Sequence, residues 1–433
     1  MNHKKQEAIY DVKQLGAGKT LVLGLQHMFA MFGATVLVPL LTGLDVSTTL
    51  LFAGVGTLLF HWITKRKVPA FLGSSFAFLG GYAAIAPLLE DGSSNVEMIP
   101  YACFGVACAG LLYLVMAALI KMFSAEKIMR YFPPIVTGPI IIAIGLTLSK
   151  SAIDSCSSNW IVALAAIVVV ILCNIYGKGM IKIIPILIGV IVSYVVGICM
   201  GEVDFTPIRE AAWIGFPIHK EMTVLGLLDA DFDPALLITA IITIMPIALA
   251  TIVEHIGDIS AISSTTGINY IKDPGLHRTL LGDGLATMLA ALFGAPANTT
   301  YGENTGVLNL SKVYDPFVVR LAAVFAIFFS FCPKFAAVIQ AMPTATVGGI
   351  SLILYGMISA VGVRNIVENQ VDFTKSRNVI IAALILVLSI GVNYSAAGAI
   401  AFQVGGITIS LSGLAVGALT GIFLNAILPE KES

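Results

Sequence analysis

Three carboxylates stand where a carboxylate is costly. Glu254 and Asp258 lie in an apolar run over 235–262. Glu303 lies in Asn298-Thr299-Thr300-Tyr301-Gly302-Glu303-Asn304-Thr305-Gly306, a polar stretch flanked by apolar ones. An acid at the centre of a bilayer costs about 3 kcal/mol on insertion scales, so such acids face a cavity and mark a functional site. Their chemistry is of two kinds. A carboxylate accepts hydrogen bonds, so it reads the N–H donors of a flat heterocycle. Two carboxylates four residues apart share one helix face, and in a low dielectric they resist joint ionisation, which makes Glu254 and Asp258 a proton site. Phe76 and Tyr301 supply aromatic surface near the acids, and the small residues Gly73, Ser74, Ser75 and Gly302 let the backbone leave helical geometry there.

The other ionisable residues in apolar runs have structural readings. His27 and His255 read as hydrogen-bonded packing between helices. Asp283, in Gly282-Asp283-Gly284, reads as a cap or bridge. Arg320 reads as snorkelling or paired.

Enzyme chemistry is missing. No nucleophile–base pair or metal cluster is legible. The six cysteines form no CxxC and mostly fall in apolar runs, so they read as packing residues rather than disulfides or metal ligands. Gly18-Lys19-Thr20 imitates the end of a phosphate-binding loop, but that loop needs a glycine where Lys13 stands and a strand before it. No cofactor is expected.

The elements that position these groups are membrane spans. The chain is 58% apolar and 11% charged, against about 25% charged in soluble proteins. The net charge of −1 gives no sign of a nucleic-acid partner. Hydropathy predicts an all-α polytopic protein of about fourteen segments: 20–43, 48–64, 69–88, 99–122, 128–149, 159–176, 180–200, 235–262, 276–294, 295–311, 314–332, 335–363, 378–398 and 403–428. The third and tenth are irregular. Counting both as crossings, with the N-terminus inside, puts 19 of 24 basic residues on the inner side, which fits the positive-inside rule. The expected organisation is a cytoplasmic N-terminus (1–19), seven spans (20–200), an acidic extracytoplasmic loop (201–234), seven spans (235–428) and a cytoplasmic C-terminus (429–433).

An odd number of spans per half inverts the second half against the first, the layout of secondary transporters. Gln26-His27 and Glu254-His255 lie 228 residues apart, and the same offset takes Tyr301 to Gly73. The two interrupted segments therefore correspond, and paired interrupted spans point to a substrate site. Meeting at mid-membrane, they are expected to pair as short strands and to offer backbone donors to a flat polar molecule.

Five stretches resemble the nucleobase–ascorbate transporter family, also called nucleobase–cation symporter-2. They are QHMFAMFGATVLVPLLTG at 26–43, PAFLGSSFAFLGG at 69–81, EHIGDIS at 254–260, DPGLHR at 273–278 and NTTYGENTGVLNLSK at 298–312. The likeness is nearest to the family's bacterial uracil-transporting branch. It implies two inverted repeats of seven spans, divided into core and gate domains, with antiparallel strands in spans three and ten. It implies that Glu254 and Glu303 hydrogen-bond the base, that Phe76 and Gly302 add backbone contacts, and that Tyr301, Phe76 and Ala34 lie around the ring. It further implies proton-coupled uracil uptake by a homodimer in the inner membrane, with no metal. Glutamate at the signature's first position separates the uracil branch from purine carriers, which often have glutamine. Xanthine or urate transport is the alternative within the family, and an ion channel with an acidic filter the alternative outside it. Some uracil carriers have histidine where this chain has Asp258, so the proton is assigned to Asp258 together with Glu254.

Overall fold

In hydrocarbon every backbone N–H and C=O needs a partner inside the protein, which leaves helices and protected irregular segments as the available elements. A computed structural model describes residues 8–89, 91–228, 233–404 and 407–429. The ends of the chain, including the expected C-terminal tail beyond Pro429, and the loop acids Asp229 and Asp231 lie outside them.

The chain is a multi-pass helical membrane protein. Among the described residues seven helices are long and apolar enough to cross a bilayer alone: Ala17–Thr42, Val46–Ile63, Ile99–Phe123, Pro134–Cys156, Pro234–Thr266, Thr344–Glu368 and Ser376–Asn393. Pro316–Ser330 and Pro333–Gln340 pass the same test together but bend by 89°. Shorter apolar helices run over Phe76–Ile85, Trp160–Tyr176, Pro185–Cys199 and Gly413–Ile427.

The first helix shows how the ends are set. At 1.5 Å per residue its 26 residues reach about 39 Å, enough to cross the bilayer with some tilt. It stops at Gly43, whose φ of 76° is the left-handed conformation glycine takes without a Cβ penalty, and whose N–H donates to Pro39 O. Asp45 then starts the next helix by accepting from Thr48 N at 2.6 Å.

Two segments depart from the expected spans. The run expected as one span over 335–363 is two helices, Pro333–Gln340 and Thr344–Glu368. Pro333 and Pro343 explain the breaks, because proline lacks an N–H and pushes the preceding residue out of helical geometry. The segment expected over 403–428 is helical only from Gly413. Before it, β3 (Ala399–Val404) and β4 (Ile407–Ser412) pair antiparallel, with Ala399 opposite Ser412.

The interrupted segments are also partly non-helical. β1, Leu72–Ser74, pairs antiparallel with β2, Asn298–Thr300, and the register sets Leu72 opposite Thr300, Gly73 opposite Thr299 and Ser74 opposite Asn298. Counted from strand start to strand start, Leu72 to Asn298, the two segments are 226 apart, two fewer than the offset between Gln26-His27 and Glu254-His255. Tyr301 therefore matches Ser75, not Gly73. Side chains complete this small sheet. Leu72 N donates to Thr57 Oγ1 at 2.9 Å, and Thr57 Oγ1 lies 3.2 Å from Leu72 O. On the other strand Thr287 Oγ1 donates to Asn298 O at 2.9 Å. The strands also continue by one bond at each end, Ser75 N to Ala297 O at 2.8 Å and Tyr301 N to Phe71 O at 3.0 Å.

Candidate substrate site

Both strands end by turning into a helix. After β1 the chain passes through Ser75 into the turn Phe76–Phe78 and the helix Leu79–Ile85. After β2 it passes through Tyr301 into the helix Gly302–Ser311. Neither Ser75 nor Tyr301 caps the following turn with its side chain. The first N–H groups of a helix have no intrahelical acceptor, and the helix dipole places partial positive charge there. A polar ligand that accepts hydrogen bonds finds donors at such ends. Gly302 is exposed, and a Cβ built on it meets nothing within 4 Å, so this helix end opens onto free space.

The sheet junction is held by a closed set of contacts. The Tyr301 hydroxyl donates to Ser74 O at 2.9 Å, and Thr35 Oγ1 lies 3.3 Å from it. Ser74 Oγ donates to Thr35 O at 3.0 Å. A methyl on Gly73 would collide with the Tyr301 ring and stand 2.7 Å from Thr35 Oγ1. Glycine is required at this position because the ring lies across the strand.

The acids come from the helix Ala248–Thr266. Asp258 Oδ2 accepts from Thr300 Oγ1 at 3.0 Å, which places it against β2. Glu254 lies one turn earlier on the same face, and both are partly accessible while His255 is fully buried on another face. Glu303 is the second residue of the Gly302–Ser311 helix rather than part of an irregular loop. Its side chain lies outside the described residues.

Phe76, Tyr301 and Ala34 belong to one buried cluster, 6%, 4% and 0% exposed, so they form a wall rather than a lipid face. The sequence did not single out Tyr355, which joins this wall from the helix Thr344–Glu368. Its ring meets Phe76 edge-on, centroids 5.6 Å apart and planes at 77°. Thr57 and Thr287 were also missed, since a threonine within an apolar helix carries no signal of its own.

The remaining ionisable residues tie helices together or pair locally. His255 Nδ1 is 2.9 Å from Asp283 Oδ2, with the oxygen out of line with the ring N–H, and both residues are fully buried. The pair ties the Ala248–Thr266 helix to Leu276–Leu292. Asn304 Nδ2 donates to His27 O at 3.0 Å and lies 3.2 Å from His27 Nδ1, tying the Gly302 helix to the first one. Arg320 lies over the Phe317 ring, 5.5 Å from its centroid. All six cysteines are free.

The chain matches the model of the Permease family over residues 18–398. It belongs to that family. It is 40% identical over 428 residues to the uracil permease of Bacillus caldolyticus, covering 96% of this chain and 93% of that protein. It is 38% identical over 429 residues to the putative pyrimidine permease RutG of Escherichia coli K12, covering 97% and 91%. The resemblance carried by the five sequence stretches therefore holds, and the chain is a permease rather than an enzyme. Its fold is shared with the transmembrane domain of a cyanobacterial bicarbonate transporter, BicA, at a TM-score of 0.62 and 14% identity, over 97% of this chain and 99% of that one.

Proposed function

We propose that this permease imports uracil across a bacterial inner membrane in symport with protons. The observation that carries the reading is the junction of β1 and β2, where two helix N-termini, an aromatic wall and the acids of the Ala248–Thr266 helix converge. In this reading Glu254 and Glu303 accept hydrogen bonds from the ring N–H groups, and the backbone at Phe76 and Gly302 donates to the carbonyl oxygens. Phe76, Tyr301 and Ala34 enclose the ring. Asp258, with Glu254, takes up the proton. The names of relatives such as the Bacillus uracil permease support the substrate. An ionised glutamate at position 303 only accepts, which suits a base presenting N–H groups, whereas glutamine also donates.

The architecture proposed with it has fourteen spans as two inverted repeats, 20–200 and 235–428, joined by the loop 201–234. The two strand-bearing segments move within a core domain that rocks against a gate domain. The distribution of lysine and arginine supports a cytoplasmic position for both termini. The protein is proposed to act as a homodimer, without a cofactor.

The test is labelled uracil uptake into membrane vesicles with an imposed pH gradient. Unlabelled uracil is expected to compete, while xanthine, urate and ascorbate are not. A protonophore is expected to abolish accumulation. Uptake that survives the protonophore removes proton coupling, and equal competition by xanthine moves the reading to the purine carriers of the family.

A further inference from the structure

The segment before the first helix makes contacts that the transport site does not account for. Ile9 N donates to Lys312 O at 2.8 Å, and Tyr314 N donates to Ile9 O at 2.7 Å, a parallel bridge alongside Val313. Val12 N donates to Asp315 Oδ2 at 2.9 Å. The Tyr10 hydroxyl donates to Thr266 O at 2.7 Å, and its ring lies against that of Tyr314, centroids 5.4 Å apart. Thr266 ends the helix that carries Glu254 and Asp258, and Lys312 ends the helix that begins at Gly302. One short segment therefore fastens together the far ends of the two helices that supply the acids. Thr266 is eight residues beyond Asp258, and Ser311 nine beyond Gly302, so the fastening acts from about 12–14 Å away.

Packing does not explain Tyr10, because it is 50% exposed. Nor is the segment a rigid extension of the first helix. Gly16, at φ 77°, separates the two, and the helix takes no side-chain N-cap from it. An open groove of about 440 Å³ adjoins it, bordered by Ile9, Lys19, Gln26, Ser311 and Val313. Gln26 neighbours His27, which binds Asn304 of the Gly302 helix. The segment thus meets the first helix at a glycine turn and lies beside an open groove.

We propose that Tyr10 is a positioning residue: as the pin of an N-terminal clasp, it fixes the spacing of the Ala248–Thr266 and Gly302–Ser311 helices, and thereby the affinity of the site between them. The assignment of uracil to that site rests on the function proposed above. A preformed spacing lowers the ordering cost that the ligand otherwise meets on binding. Losing the clasp therefore weakens binding without changing any group that touches the base.

The experiment compares wild type, Tyr10→Phe and Tyr10→Ala as full-length proteins. In uracil uptake the Ala variant is expected to raise KM by about three- to tenfold, as for one lost hydrogen bond and its ring contact, with Vmax retained. Tyr10→Phe, which keeps the ring, is expected to fall between. Without any ligand, hydrogen exchange is read at residues 267–268 and 312–314 of each purified protein. Faster exchange in both stretches of the variants is expected, because one clasp holds both. Exchange that changes in neither stretch or in only one overturns the clasp, even if the wild type were to transport no uracil at all. An unchanged KM in a wild type that does transport uracil, with any loss tracking the amount of folded protein, overturns the positioning role.

Discussion

At the scale of single residues the site turns on a side chain that is missing. Gly73 leaves room for the Tyr301 ring, whose hydroxyl reaches Ser74 O. Gly73→Ala puts a methyl into the ring, and inserting a methyl into a packed interior costs about 1–3 kcal/mol. The strain has two outlets. If Tyr301 swings away, its bond to Ser74 O is lost and the aromatic wall opens. If the strands part, the ladder weakens. Either way Gly73→Ala is expected to lower the thermal midpoint of the purified protein and to weaken uracil binding about tenfold or more. Adding Tyr301→Ala removes the ring but leaves Thr35 Oγ1 in the way, so the double variant should regain part of the stability but not the affinity. A Gly73→Ala protein that melts and binds like wild type would show that no such crowding exists.

At the scale of elements, the sheet survives in the membrane because two helices complete it. Thr57 satisfies both polar groups of Leu72, and Thr287 satisfies Asn298 O. Thr57→Val keeps the volume and leaves the Leu72 N–H without an acceptor, at a cost of about 1–3 kcal/mol. Thr287→Val leaves only a carbonyl unpaired and should cost less. Thr57→Ser should restore most of the loss. Thermal midpoints of the three variants test this ranking, and equal midpoints for Thr57→Val and wild type would remove the threonine from the sheet. This is also where sequence reading reached its limit. The acids in apolar runs and the polar run from Asn298 were legible because each is costly in lipid without a reason. Thr57 and Thr287 were not, since an intrahelical threonine can satisfy itself on its own helix. The two-residue difference between the strand and helix offsets was hidden for a similar reason, because an internal match fixes only the residues that are compared. The β4 strand had a readable signal that length overrode: Ile407-Thr408-Ile409-Ser410-Leu411-Ser412 alternates with the period of a strand. The pairing of His255 with Asp283 depends on helix contacts far apart in sequence, and no local pattern encodes it.

At the scale of the whole molecule, the proposed symport requires that proton and base each favour the other's binding. Linkage makes that coupling reciprocal: if protonation strengthens uracil binding, uracil strengthens protonation by the same factor. Asp258 is placed to transmit it, because its carboxylate accepts from Thr300 Oγ1 in β2, the strand that leads into the Gly302 helix. Protonation changes what Asp258 offers Thr300, from an acceptor alone to a donor as well. In the proposed symport the end of β2 would therefore sense the proton while its helix N-terminus faces the ligand. If one proton is taken up with each base, uracil affinity falls by up to about tenfold per pH unit as the pH rises through the range in which the site titrates. Asp258→Asn fixes the side chain in a neutral form that still donates and accepts. The variant is therefore expected to bind uracil with an affinity that does not vary with pH and to lose accumulation against a gradient, while retaining exchange of uracil across the membrane. Equilibrium binding between pH 5 and 9, measured beside counterflow in vesicles, separates these properties. An Asp258→Asn protein that keeps the wild-type pH slope would move the coupling proton to another group, with Glu254 next in line on the same helix face.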